Sequence, residues 1–355
     1  SPYTLSLHDA LPIYTLSQTT KLPKDLLQNG LRPVLANLQD PRRLSTHGLD
    51  GLARLLQLLT TYFKVEIGSR LLDHIKVLAE PNALQRISFT LIEQNDQMKI
   101  IAAVFNIFHL LPPAAEHFKE RLVETVLDLE DKLRRTRYSP FRAPLYKYLN
   151  RYPNEVWMML LGKIEEQKYG RFLAQLLEDP DSAPLRSVVV NSVDMLIKNC
   201  GDMGAENKET RYAAVINAIN VMHSVCKYPG TEAWMEKKEN LMWFRLVGKN
   251  LEQRLRNYSL PSNLRLAAEQ AGEQLMIIFT KFLEIHPKDL DALFGLVDSV
   301  TCGDFKPSQH FFSYIYKNII CNDSIDYWKS IVLRSLDVYA RSEEHTSELQ
   351  SPVLS

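Results

Sequence analysis

Glycine is scarce in this chain, at 13 of 355 residues, about half the ~7% of an average soluble protein. Folds rich in β-structure place glycine at many tight turns, so the deficit disfavours sheets and suits helices joined by short links. Net charge is missing too, with 42 Lys plus Arg balanced by 42 Asp plus Glu. That balance argues against a chain that binds nucleic acid over a broad basic face. Long apolar runs are also lacking. A membrane span needs about 18 consecutive apolar residues, and the best candidate, Ile100 to Leu111, is interrupted by Asn106 and His109. The first residues carry no basic and apolar signal sequence, so the expectation is a soluble intracellular protein with no membrane partner.

The residue patterns of catalysis and metal binding are missing as well. Cys200, Cys226, Cys302 and Cys321 are too widely spaced for a Cys-x-x-Cys pair, and no histidine lies near enough in sequence to complete a zinc site. They read as small buried hydrophobes in a reducing compartment. His109 and His117 are separated by two prolines, and no His-Glu-x-x-His occurs. There is no Gly-x-x-x-x-Gly-Lys-Ser/Thr phosphate loop, no Gly-x-Gly-x-x-Gly turn and no Gly-x-Ser-x-Gly elbow. The glycine-rich loop, ATP-directed lysine and metal-binding Asp and Asn of a kinase are equally lacking. The expectation is a non-enzymatic chain without cofactor or metal. Asn257-Tyr258-Ser259 and Asn322-Asp323-Ser324 match the glycosylation sequon but read as chance matches in an intracellular chain.

Helical periodicity is present almost throughout. Leu52, Leu55, Leu56, Leu59 and Tyr62 share one helical face, as do Leu122, Val126, Leu129 and Leu133, and Ala268, Ala271, Leu275, Ile278 and Phe282. Each such helix has one side to bury. Prolines fall mostly between these stripes, where the first turn of a helix tolerates them. The pattern predicts helices over residues 23–38 (kinked at Pro33), 46–62, 65–79, 82–94, 96–110, 113–135, 143–151, 154–165, 168–178, 184–200, 205–226, 232–257, 262–285, 288–300, 308–321 and 324–340. Successive pairs span roughly 40 residues. The predicted fold is therefore all-α, an α-α superhelix in the form of a HEAT/armadillo-like solenoid of antiparallel helix pairs. The loosest stretch, Asn199 to Lys208, reads as a loop between repeats. In a solenoid each pair buries its apolar side on its neighbours, so residues 14–340 in isolation are expected to self-associate.

The two ends stand apart. SPYTLSLHDALPI (1–13) and RSEEHTSELQSPVLS (341–355) have no apolar stripe, and both resemble in-frame translations of sequencing-adapter oligonucleotides. They are expected to be non-native, disordered tails flanking a helical-repeat region, 14–340, that is an internal part of a longer protein. The tails carry Asp9, Glu343, Glu344 and Glu348 against Arg341 alone. Setting them aside leaves a slight basic excess, too small to predict direct sequence-specific nucleic-acid binding.

Two features read as candidate interaction sites. Lys132, Arg134, Arg135, Arg137 and Arg142 gather around Tyr138-Ser139-Pro140. Cations collect at helix C-termini to complement the dipole, and the same group is a candidate contact for an acidic partner such as an acidic activation segment. Phosphorylation of Ser139 would oppose such binding. Trp157, Trp234, Trp243 and Trp328 lie in helical segments beside other apolar residues; core packing is their default, and any left exposed would mark a partner site.

Three stretches carry a family resemblance: LRPVLANLQDPRRLSTHGLDGLARLLQLLTTYFKVEIGSRLLDHI (31–75), SPFRAPLYKYLNRYP (139–153) and APLRSVVVNS (183–192). They resemble the HEAT region of the TRRAP family, the large pseudokinase-bearing relatives of the phosphatidylinositol 3-kinase-like kinases. The resemblance implies a non-catalytic nuclear scaffold in SAGA-type and nucleosomal histone acetyltransferase complexes, with transcription activators and complex subunits as protein partners. It carries over no functional residue, because the family has no short catalytic motif. A HEAT-repeat nuclear-transport receptor or other helical-repeat adaptor is the alternative, and the absence of an acidic run in the core speaks against transport. An active kinase of the related family would need a catalytic domain that nothing here matches.

Overall fold

In the computed structural model of this chain, the residues described are 36–59, 66–80, 94–134, 139–201 and 209–286, with isolated positions outside them. Both tails, 1–13 and 341–355, lie outside the described residues, as do nearly all of the helices expected over 23–38, 82–94, 288–300, 308–321 and 324–340. The chain divides into two compact units, Ser1–Arg151 and Tyr152–Ser355.

In the first unit, Asp40 caps a 3-10 turn, Pro41–Arg43, by accepting from the Arg42 amide at 3.0 Å. Helices α1 (Thr46–Leu59), α2 (Glu66–Leu78) and α3 (Asp96–Ile107) follow. Asn95 starts α3 by accepting from the Met98 amide at 3.1 Å, which satisfies one of the orphan donors of a helix N-terminus. The segment expected as one helix over 113–135 is a 3-10 stretch, Pro113–Phe118, leading into α4 (Lys119–Lys132). Likewise the end of the 96–110 segment tightens to 3-10 at Phe108–Leu110. The prolines at 112 and 113 lack the N–H that would continue α3. α5 (Arg142–Leu149) completes the unit, and α3 packs against α1, α2 and α5.

The stripes face inward as expected. Leu52 and Leu56, and Leu122, Val126, Leu129 and Leu133, are all buried. Gly68 on α2 touches the Phe118 ring so closely that an added Cβ would sit 2.5 Å from it. Phe108 lies edge-on to both Phe118 and Tyr148. Arg151 secures the turn after α3 by donating to the carbonyls of His109 and Leu111, at 2.7 and 2.8 Å.

The second unit contains α6 (Pro153–Leu161), α7 (Gln167–Leu177), α8 (Ala183–Asn191), α9 (Val193–Cys200), α10 (Glu209–Cys226), α11 (Lys238–Arg256) and α12 (Ser262–Ile285). The helix expected over 184–200 is broken at Ser192, whose backbone is not helical (φ −126°, ψ 27°). Its hydroxyl donates back to the Val188 carbonyl, a bond that Thr125, Ser187 and Thr280 also make within their helices. The segment expected over 232–257 is also divided. A 3-10 turn, Glu232–Glu236, precedes an extended Lys237, and α11 starts after it. The helix over 262–285 is found as expected.

These helices form two layers. α10 packs against α7 on one side and α12 on the other, while α6 packs on α8 and α9 on α11. α10 is buried on nearly every side, from Tyr212 through Ile219 without a break, which is why its sequence shows little amphipathic pattern. Side-chain hydrogen bonds between successive helices fix the register. Asn217 donates to the carbonyl of Ile164 at 2.8 Å, ahead of α7, and Ser224 donates to Glu178 at 3.0 Å, just past its end. α7 and α10 therefore run parallel. At the next step, Asn263 at the start of α12 donates to Glu209 at the start of α10, at 2.6 Å. Partners at these steps lie 46 to 54 residues apart, longer than the expected 40: two short helices, α8 and α9, make the return from α7 to α10, and the long α11 makes the return from α10 to α12. No strand occurs among the described residues.

Candidate functional site

The basic cluster is built on the end of α4. The helix stops because Arg134 turns into the left-handed region, φ 52°, while the amides of Leu133 and Arg134 close on the carbonyls of Leu129 and Asp131 at 2.9 Å. Such a C′ position favours glycine, and an arginine here projects outward. Lys132 and Arg134 are exposed, and Arg135 and Arg137 lie outside the described residues.

Arg142 is turned to a different use. It donates from Nε and Nη2 to the two carboxylate oxygens of Glu130, each at 2.7 Å, and from Nη1 to the Tyr146 hydroxyl at 3.1 Å. Glu130 is only 2% exposed, so the pair ties α4 to α5 in a setting where two parallel bonds are strong. Burial alone would lower the Arg142 pKa, but the hydrogen bonds and charges of Glu130 and Tyr146 outweigh it and raise it. The structure thus leaves Lys132 and Arg134 exposed and directs Arg142 inward. Ser139 is buried, its Oγ accepting from the Phe141 amide at 3.2 Å as a cap for the turn into α5.

Among the described tryptophans, Trp157, Trp234 and Trp243 are buried, as core packing requires, and Trp328 lies outside the described residues. Trp234 packs tilted against Phe244 and edge-on to Phe282, and Trp243 donates to the Gly201 carbonyl at 2.8 Å. Cys200 and Cys226 are free and buried, and desolvation pushes each thiol up to about 12, which leaves almost no nucleophilic thiolate at neutral pH. Burial lowers the pKa of His109 and holds His223 at about 4, so both are neutral at pH 7. Among the described residues no group of three or more His, Cys, Asp or Glu could hold a metal ion, and no helix is long and apolar enough to cross a membrane.

The surface that sequence reading missed is apolar. Met195, Met242 and Leu246 are each more than two-fifths exposed. Met242 and Leu246 are four residues apart and stand off the core stripe of α11, the one signal by which they could have been found.

What the site offers is surface, a stack of helices with charged and apolar patches facing outward. The chain matches the Tra1 HEAT repeat ring region family over residues 4–351. It belongs to that family. Its fold is accordingly an all-α HEAT-repeat solenoid. The Schizosaccharomyces pombe SAGA complex/NuA4 acetyltransferase complex subunit Tra1 is 40% identical over 206 residues, covering 58% of this chain and 6% of that protein. The Saccharomyces cerevisiae subunit of the same description is 32% identical over 320 residues, covering 87% of this chain and 8% of that protein. The human transformation/transcription domain-associated protein is 22% identical over 348 residues, covering 88% and 9%. The chain thus spans less than a tenth of each of these relatives.

Proposed function

We propose that this chain is a non-catalytic scaffold segment of a nuclear coactivator subunit that belongs to SAGA-type histone acetyltransferase complexes and binds transcription activators and other subunits. The observation that carries this reading is the match of nearly the whole chain to the Tra1 HEAT repeat ring region, supported by relatives named as subunits of SAGA and NuA4 acetyltransferase complexes. The mechanism follows from the architecture. Stacked helices present a long surface whose geometry is set by the buried layers, so exposed residues are free to meet several partners.

Within this reading, Lys132, Arg134, Arg135 and Arg137 are the cations proposed to meet an acidic partner, and Arg142 holds the end of α4 through Glu130. Charge reversal of the four, with Arg142 left intact so that Glu130 is not orphaned, should weaken capture of an acidic activation-domain peptide; unchanged capture would remove this site. The scaffold reading is tested by native affinity purification of the full-length protein from its own cells. Co-purifying acetyltransferase and deubiquitinase subunits are expected, whereas importin-type cargo without them would defeat it.

A further inference from the structure

The turn that leads into α1 carries a pattern the scaffold reading does not use. Arg42, Arg43, Leu44 and Ser45 follow one another in the sequence, so two guanidinium groups stand just ahead of a serine hydroxyl. Protein kinases that select basic substrates take such an arginine pair into acidic subsites of their own, where forked pairing sets the distance to the hydroxyl. A pattern this short recurs by chance, and what counts is whether the fold presents it.

The fold does present it. Arg42, Arg43 and Ser45 are all exposed, and only Leu44 of the four is buried. Leu44 is extended, at φ −68° and ψ 130°, the backbone shape of a substrate lying in a kinase cleft, and Ser45 comes before the first helical residue, Thr46. The arginines lie in a single surface turn. It is held by the Arg42 amide on the Asp40 carboxylate at 3.0 Å, the Arg43 amide on the Asp40 carbonyl at 3.1 Å and the Leu44 amide on the Pro41 carbonyl at 3.4 Å. A lone exposed turn of this kind opens at little cost. The Arg43 side chain reaches Asp40 only at 3.8 Å, with both groups largely exposed, so a kinase carboxylate can take its place.

Ser45 also caps α1, its Oγ accepting from the Gly48 amide at 3.1 Å. A Cβ on Gly48 would approach that oxygen to 3.2 Å, so the glycine keeps the space beside the hydroxyl open. A phosphate added there would stand at the helix N-terminus, where the dipole and the first amides favour negative charge. The modified serine therefore still caps the helix, and the fold tolerates the product.

We propose that Ser45 is a phosphorylation site for a protein kinase that reads basic residues, with Arg42 and Arg43 as the residues it reads. The Ser45 Oγ attacks the γ-phosphorus of ATP, the bond from that phosphorus to the β,γ-bridging oxygen breaks, ADP leaves, and the hydroxyl proton passes to the catalytic aspartate of the kinase. The proposal does not rest on the scaffold reading.

The test incubates the full-length protein with cAMP-dependent protein kinase, a probe of this specificity, and magnesium ATP. A synthetic peptide of residues 38–50 is run in parallel, and fragment-ion mass spectrometry locates the phosphate. Both substrates should carry it on Ser45. Arg42→Ala with Arg43→Ala should slow its incorporation by about tenfold or more. Ser45→Asn keeps a capping acceptor, so that variant should stay folded by circular dichroism while phosphate disappears from this segment. Modification of the peptide but not of the folded protein, phosphate on Thr46 in place of Ser45, an unchanged rate without the arginines, or failure of both substrates would each overturn the proposal.

Discussion

The Arg186 guanidinium lies 3.6 Å from the centroid of the Tyr228 ring and donates to the carbonyls of Leu177, Asp179 and Pro180 at 2.8, 2.7 and 3.1 Å. One side chain therefore stacks on the turn after α10 and satisfies the carbonyls left unpaired at the end of α7. Tyr228 adds a hydrogen bond to the Glu178 carbonyl, and Glu178 accepts from Ser224 and Lys227. Arg186→Ala should destabilise the second unit by about 2–4 kcal/mol, since it strips three buried or half-buried carbonyls of their donor. Arg186→Lys should recover little, because an ammonium lacks the planar fork that reaches several acceptors while stacking. Urea unfolding measures both.

Gly170 and Asn217 form a second link between α7 and α10. A Cβ on Gly170 would come within 2.1 Å of the Asn217 side chain, which is fully buried. Gly170→Ala should cost about 2–4 kcal/mol despite the better helix propensity of alanine. Asn217→Ala alone should also destabilise by freeing the Ile164 carbonyl. Together the two should cost clearly less than their sum, because the second removes the clash created by the first. Additive costs in a double-mutant cycle would contradict the close approach.

Arg134, at φ 52°, holds a conformation that glycine adopts without strain. Arg134→Gly should therefore stabilise the first unit by about 0.5–1 kcal/mol, seen as a raised melting temperature. Tyr258 has a similar φ of 51°, but Arg265 lies 4.4 Å from its ring centroid. The gain from Tyr258→Gly should be smaller, since it also removes a cation–π contact.

His223 makes stability pH-dependent. Desolvation chiefly, with Lys227, lowers its pKa from 6.5 to about 4 against an opposing pull from Glu178. The unfolded chain binds the proton more readily, so the stability contributed by the neutral folded imidazole is complete above about pH 6.5 and is lost as pH falls toward 4. The loss by pH 5 is on the order of 2 kcal/mol. A His223→Gln variant should show a flatter profile between pH 7 and 5 in denaturant titrations.

Most helices were legible because their stripes recur at 3.6 residues, as in Ala268, Ala271, Leu275, Ile278 and Phe282, all of them buried. The break at Ser192 was not, since valines continue the apolar pattern on both sides of it. The basic group was visible as a cluster, but the partner of Arg142 was not. Glu130 lies twelve residues away on a helix whose orientation depends on the fold. The exposure of Met242 and Leu246 was only half visible: they stand off the core stripe of α11, but periodicity alone does not say which neighbours leave a helix side uncovered.

The central claim, that this chain serves as a helical-repeat scaffold within an acetyltransferase assembly, is tested most directly by native purification of the full-length protein and assay of the eluate for histone acetyltransferase activity. The account predicts activity that co-elutes with the protein and is supplied by other subunits. A homogeneous eluate that contains the protein and its bound partners but lacks that activity would contradict it.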